Sequence, residues 1–450
     1  MRQAVTYPIT WARGWVDRLR NAQTDHHAIA QGMVWVALFV LLTSLARAAR
    51  EMVIAYRYGV GAEVDAYLFV FNLVSWPTSV WFSILTVVLV PLAARVQQGS
   101  PVELPLFRAE LLGFTVLLGL ALTLVGWLGL PFLLRSSWTG LSSATSTIAT
   151  NMVPALILLI PLSLVIGLLS AWMLAAGRHT NTLLESVSAL VLFIVLLAFP
   201  GGGAEPLVWG TLGGFALHMV TLGVSLERRG EIEAPCFTRR SPQWATFWQA
   251  FGITLLGQAL MSFTTIIDQF FAAHLGTGAI ATLSYANRIL LLILGLGATA
   301  VSRATLPVFS RAQAQGGQQL SHIAARWVRL LFMLGVVAVV VSWWLAPWAV
   351  TLLFERGAFT AQNSEMVTEV FRYGLAQVPF YFSSIVLVSL LASQARYRAI
   401  TTVSAIILVM KIVANLSMVP SLGLKGIVLG TACMSAGSLL FCWLIVNRDS

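Results

Sequence analysis

Charged side chains are scarce in this chain: Asp, Glu, Lys and Arg make up 10% of 450 residues, where a soluble globular chain carries about a quarter. That shortage excludes an ordinary water-soluble domain. Cysteine is nearly missing. Cys236, Cys433 and Cys442 show no metal-ligand or redox spacing, and an odd, sparse set excludes a disulfide framework. No nucleophile motif, metal-ligand cluster or phosphate-cradling glycine loop occurs. Nothing here resembles an ATPase, so energy is expected from an ion gradient, the membrane potential or product removal, and no cofactor is expected. Long polar loops are missing too, which leaves no room for a soluble domain between the apolar runs.

Those apolar runs are what the chain has in abundance. Hydrophobic residues fill 58% of it. Runs of about 20 such residues are long enough to cross a bilayer as helices. They are continuous rather than alternating, which favours helices over a barrel. About twelve spans are expected, at 28–47, 65–92, 110–134, 152–176, 182–199, 206–226, 247–272, 281–308, 328–353, 367–392, 399–419 and 426–446. The fold class is thus an all-α integral membrane protein.

The longest polar connection, 227–246, carries Arg228, Arg229, Arg239 and Arg240. It divides an N-lobe, 28–226, from a C-lobe, 247–446, each of six spans. Ahead of them lies a polar segment, 1–27. There Trp11, Trp15 and Leu19 recur at helical spacing among arginines, as in an interfacial helix; a disordered tail is the other reading. The net charge of +10 sits mostly in short loops, so a membrane surface accounts for it and nucleic acid does not. Lys and Arg concentrate in the N-terminal segment, the even-numbered loops and the C-terminus, which predicts both termini on the cytoplasmic side.

The halves resemble each other. Gly59, Gly61 and Ala62 recur as Gly276, Gly278 and Ala279. Pro91 and Arg95 recur as Pro307 and Arg311, and Pro161, Arg178 and Ser186 as Pro379, Arg396 and Ser404. Six spans per half is even, so both halves enter from the same side, and the repeat is parallel. Parallel repeats are a transporter architecture, with the substrate site between the halves near the midplane.

Charges inside spans cost roughly 2.5–3.5 kcal/mol each, which makes them functional candidates. They are Arg47, Arg50 and Glu51 late in span 1, Asp268 in span 7, Arg288 in span 8, Arg372 in span 10 and Lys411 in span 11. A mainly cationic interior suits an anionic substrate, since the planar guanidinium matches phosphate. The competing reading is ion pairing, Arg50 with Glu51 or Arg288 with Asp268. Adjacent residues do not share a helix face, so Arg50 and Glu51 make a poor internal pair. Arg47 and Arg372 are also placed to snorkel to an interface. His218 reads as a buried hydrogen-bonding residue.

Three stretches resemble the lipid II flippase family (MurJ/MviN) of the multidrug/oligosaccharidyl-lipid/polysaccharide exporter superfamily. One is Leu353-Phe354-Glu355-Arg356-Gly357-Ala358-Phe359-Thr360. The second runs from Arg50 through Tyr58-Gly59-Val60-Gly61 to Asp65-Ala66-Tyr67. The third is Ser284-Tyr285-Ala286-Asn287-Arg288 with Leu306-Pro307. The resemblance implies two six-helix lobes around a cationic cavity. It also implies alternating access that moves an undecaprenyl-diphosphate-linked saccharide across the bacterial cytoplasmic membrane. By resemblance, Arg50, Asp65 and Arg288 line the cavity, joined on charge grounds by Arg47 and Lys411. Some members bind sodium in the second lobe, and Asp268, Asn415, Thr431 and Ser435 match that site. Glu355, Arg356, Gly357 and Phe359 mark the signature loop. The expected partners are the polyprenyl-diphosphate-linked glycan, membrane lipids and envelope-synthesis enzymes.

There are departures. Charged positions of the family's span 2 fall where this chain reads Trp76-Pro77-Thr78-Ser79 and Phe82-Ser83-Ile84-Leu85. Ser44 replaces a span 1 arginine, and Val419 replaces an acidic residue of the sodium site. The twelve spans stop short of the family's last two helices. Besides lipid II, the cargo is open to another polyprenyl-linked saccharide such as an exopolysaccharide unit. A drug/cation antiporter, a membrane glycosyltransferase or ligase, and a non-transporting partner in an assembly complex are the competing functions. The first needs anionic pocket residues and the second a catalytic base or large outer loop. Lys411 and Asn415, four residues apart, share one face of span 11. There Lys411 is expected to reach Asp268 and stand in for the bound ion; the alternative is that it points into the central cavity.

Overall fold

The computed structural model describes residue 39 and residues 41–99, 103–176, 178, 180–314, 320–394 and 396–448. Segment 1–27 and the first part of span 1 lie outside them. Among the described residues there is no strand. The first helix, α1, occupies 41–58. It is followed by α2 (Ala62–Gly99), α3 (Glu103–Arg135), α4 (Ser143–Leu156), α5 (Leu159–Ala175), α6 (Thr180–Leu184), α7 (Ser186–Ala198) and α8 (Glu205–Glu227). The second half comprises α9 (Gln243–Ala273), α10 (Ala279–Ala314), α11 (Leu320–Phe354), α12 (Ala361–Gly374), α13 (Val378–Ser393), α14 (Tyr397–Leu422) and α15 (Leu424–Arg448). Span 1 thus continues to residue 58, beyond the expected limit of 47, and puts Arg50 and Glu51 well inside a helix.

Among the described residues, seven segments are long and apolar enough to cross a membrane, and two bent pairs bring the number to nine. The bends are 52° between α4 and α5 and 44° within α9, between Gln243–Gly252 and Thr254–Ala273. Segment α7 and the stretch Ala279–Gly295 are apolar but shorter, and with α1 they complete the twelve expected runs. Proline explains two of the breaks. A helical proline clashes with the carbonyl four residues earlier and removes a donor. Pro161 lies just past the α4–α5 break, and Pro379 follows a 3-10 turn, Leu375–Gln377, between α12 and α13.

The repeat seen in the sequence recurs in the packing. Helix α5 packs on α2, α3 and α8, and α13 packs likewise on α10, α11 and α15. The pair α7 and α8 is matched by α14 and α15. A Cβ at Gly119 would lie 3.0 Å from Pro161 Cα, and one at Gly335 would lie 2.6 Å from Pro379 Cα. These glycines let α3 press on α5, and α11 on α13, at the same relative positions. The backbone N–H of Arg178 donates to Met173 and that of Arg396 to Leu391, both at 2.9 Å.

An aromatic seam joins α2 to α9. Phe69 meets Phe270, Trp76 meets Phe263, and Trp81 meets Phe247 and Phe251. Trp76 Nε1 also donates to Ser262 Oγ at 3.0 Å. The connection 227–246 is bound to α3. Buried Glu110 accepts from Thr238 Oγ1, the backbone of Arg240 and Ser241, and Trp244 Nε1. On α11, Trp344, Trp348 and Leu352 are largely exposed, as suits a lipid-facing surface.

Candidate translocation site

Most of the charges the sequence marked inside spans gather into three ion-paired groups. The first joins α1 to α10. Arg50 Nη2 donates to Glu51 Oε1 at 2.5 Å, and Arg288 Nε lies 3.3 Å from the same oxygen. At 1.5 Å rise per residue, these groups lie roughly 11–14 Å from the loop ends of their helices, inside the bilayer. Two guanidiniums against one carboxylate leave a net positive site. Arg50 Nε is buried without a hydrogen-bond partner. A buried unmet donor in a net positive site is suited to an anion.

Of the two pairings considered from sequence, Arg50 with Glu51 is formed although the spacing argued against it, and Arg288 with Asp268 is not. Neighbours on a helix point about 100° apart, which argued against Arg50 with Glu51. Both side chains are long enough to fold over the helix surface and meet, and Arg288 from α10 converges on the same oxygen. Arg288 does not pair with Asp268.

The second group joins α9, α14 and α15. Lys411 Nζ lies 2.8 Å from Asp268 Oδ1 and 2.9 Å from Oδ2, and it also donates to Thr431 Oγ1. Asn415 Nδ2 donates to Asp268 Oδ1 at 3.3 Å, while its own Oδ1 is buried and unpartnered. Lys411 is 1% exposed, so it does not open into a cavity. Ser435 Oγ donates to the Thr431 carbonyl, one turn back on its own helix.

The third is Arg47 Nη2 with Glu185 Oε2 at 2.5 Å, between α1 and the break that separates α6 from α7. Glu185 falls inside the expected span 182–199, so the cost of a charge within a span is the sequence signal that points to it. Arg372 belongs to none of the three groups; it donates to the Trp343 carbonyl and lies over that ring. His218 is buried, with Nε2 unpartnered.

The signature stretches meet on one side of the bundle. Asp65, 2% exposed, accepts from the backbone N–H of Gly278 at 2.5 Å and of Ala281 at 2.7 Å. It therefore caps the start of α10 from the other half, and its assignment to the cavity is corrected. A carboxylate at a helix N-terminus satisfies free N–H groups and the positive end of the dipole. Tyr285 Oη donates to the Gly59 carbonyl at 3.1 Å, and Ala358 N–H donates to the Tyr56 carbonyl at 2.8 Å. Phe359 is buried against Tyr285 and Phe354. Gly357 packs on Tyr56, whereas Arg356 turns back to the Leu352 carbonyl and Glu355 accepts from Thr351. Loops of both halves are thus sewn together.

Gly59 is the tightest point of this junction. Its φ is +57°, and a Cβ there would collide with the Ala358 carbonyl. Gly59→Ala is expected to loosen the junction, at a cost of about 1–3 kcal/mol. The midpoint of thermal unfolding in detergent should fall by a few degrees in that variant. An unchanged midpoint would disprove the role.

A bundle of repeated helices, its halves joined by the Arg288–Glu51 ion pair, has the architecture of membrane transporters, and structures of the MOP superfamily share that fold. The fold superposes on an inward-facing MATE multidrug resistance transporter of that superfamily with a TM-score of 0.73, at 15% identity over 90% of this chain and 94% of the other. The solved structure of lipid II flippase MurJ in an inward closed conformation gives a TM-score of 0.80, at 19% identity over 92% of this chain and 87% of that one.

The family description "Lipid II flippase MurJ" matches residues 54–450, and the chain belongs to that family. A probable lipid II flippase MurJ of Helicobacter pylori is 30% identical over 200 residues, 43% of this chain and 42% of the relative. One of Synechocystis is 26% identical over 443 residues, covering 92% of this chain and 80% of the relative. The match thus spans about two fifths of the Helicobacter relative's length and most of the Synechocystis one's.

Proposed function

We propose that this protein is a flippase for an undecaprenyl-diphosphate-linked saccharide, lipid II or a related envelope precursor, working by alternating access. The observation that carries the reading is the Arg50–Glu51–Arg288 cluster. It is a net positive, partly unsatisfied site inside the membrane, made by helices of both halves. A diphosphate offers the acceptor oxygens that two guanidiniums match. Segments 28–226 and 247–446 act as the two moving bodies, and the Asp65–Gly278 and Tyr56–Ala358 junction is the outer gate in its closed state. Lys411 supplies a fixed cation in the second half. The site lies in the bacterial cytoplasmic membrane, with both termini in the cytoplasm.

The test is reconstitution. Proteoliposomes should move an undecaprenyl-diphosphate-linked saccharide to the opposite leaflet and leave a saccharide lipid without phosphate where it was. Equal movement of both lipids, or of neither, would sink the reading. Topology is checked separately. A single cysteine at exposed position 356 of the same loop, in a cysteine-free background, is expected to react with an impermeant maleimide in intact cells. Reaction only after lysis would reverse the orientation.

A further inference from the structure

The Arg47–Glu185 pair has no part in the reading above, and its placement is unusual. Arg47 and Arg50 are three residues apart, and Arg47 and Glu51 four, so Arg47 lies one turn back on α1, between the directions of the other two. Arg47 is about 4.5 Å further along the helix from Arg50, away from the closed junction. Opposite it, the helix is broken: α6 ends at Leu184, α7 begins at Ser186, and Glu185 is the residue between. The side chains are 55% and 32% exposed. Hydrocarbon solvates ions poorly, so an ion pair open to this degree among spanning helices is stable only where water or a polar ligand can reach it. One turn before Glu185, Asn181 is buried with Oδ1 unpartnered, an unmet acceptor next to the break.

We infer that Arg47 and Glu185 form a saccharide-reading subsite, one helical turn from the arginines that take the diphosphate. The inference rests on the assignment of Arg50 and Arg288 to that diphosphate. The first sugar of such a lipid is bonded directly to the distal phosphate. Whatever reads it must lie within one sugar ring of the phosphate site, on the side from which the head group enters. The pair meets both conditions. Its chemistry also differs from that of the cluster above it. With the two charges cancelled, the pair has little net pull on an anion. A carboxylate accepts from neighbouring hydroxyls, and a guanidinium donates to ring, hydroxyl or amide oxygens. That combination suits a neutral, polyhydroxylated ligand. Arg50 and Arg288 bind any diphosphate lipid, and Arg47 with Glu185 selects those that carry a glycan.

The rival is a salt bridge that merely holds α1 against α7, and binding separates the two. The purified full-length protein in detergent is titrated with undecaprenyl diphosphate and with the same lipid carrying a disaccharide. The wild type should prefer the glycan-bearing lipid. Glu185→Ala and Arg47→Ala should each lose about tenfold of that preference, the scale of one charged hydrogen bond, while affinity for the bare lipid rises where Arg47 is left unpaired and falls where Glu185 is. The exchange Arg47→Glu with Glu185→Arg restores an ion pair but inverts donor and acceptor, and the preference should stay lost. Glu185→Gln carries the same expectation should the alanine variant not fold. An unchanged preference in the single variants, its recovery in the exchange, or an equal loss for both lipids would overturn the inference. A wild type that binds neither lipid would instead overturn the diphosphate assignment beneath it.

Discussion

Replacing both Arg50 and Arg288 with alanine is expected to abolish transport while the protein still reaches the membrane in normal amount. Each guanidinium contact to a phosphate is worth roughly 1.5–3 kcal/mol, so losing two costs about a hundredfold or more in affinity. A second effect acts in the same direction. Glu51 is held by both arginines and little exposed, and in the double variant it stays behind as an uncompensated carboxylate. The site then changes from net positive to net negative and repels the diphosphate it is proposed to hold. Each single variant leaves one guanidinium to neutralise Glu51 and should be impaired but measurable. Flipping in proteoliposomes at matched protein content is the measurement. Wild-type rates in the double variant would eliminate the cationic site.

Sodium should make no difference to transport by the wild type, and Lys411→Met should change that. The Lys411 ammonium is surrounded by Asp268 Oδ1 and Oδ2 and by Thr431 Oγ1, with the unpartnered Asn415 Oδ1 on the same helix face one turn away. Oxygens arranged in this way suit a hard cation, and here the cation is covalently attached. Val419, one further turn along, adds no carboxylate. Removing one partner of a buried ion pair costs roughly 3–5 kcal/mol. Lys411→Met should therefore lose most of its activity in sodium-free buffer and regain part of it when sodium neutralises Asp268. Adding Asp268→Asn to that variant should remove the sodium response. Rates measured in sodium and in choline buffers decide the matter. A sodium requirement in the wild type would refute the fixed-cation role, and a Lys411→Met variant indifferent to sodium would point to a purely structural pair.

Much of the architecture was legible because bilayer physics acts on local composition. Apolar runs of the right length marked the crossing segments, and helices were the answer since lipid cannot satisfy open backbone groups. Pro161 and Pro379 lie at corresponding positions of the two halves, and both accompany a break, because proline disturbs the same carbonyl wherever it stands. Recurring glycines and prolines announced the repeat that the α3–α5 and α11–α13 contacts display. The charges at risk in the membrane could also be named from sequence, because any ionised group in an apolar run stands out.

Which charge meets which was decided by the tertiary structure alone. Glu51 is shared between Arg50 beside it and Arg288 on α10, a result the rule of helix faces argued against. Asp65 looked like a cavity residue and is the cap of a helix more than two hundred residues away. Glu185 is a lone carboxylate in an apolar run, and only the broken helix brings it to Arg47. Lys411 was read with two possible directions, and only the approach of α9 and α15 turns it to Asp268 and Thr431. Hydropathy is a sum over neighbours in the chain and survives any arrangement of the helices. Ion pairing depends on distances of a few ångströms between helices far apart in the chain, and those are set by how the small residues let the helices pack.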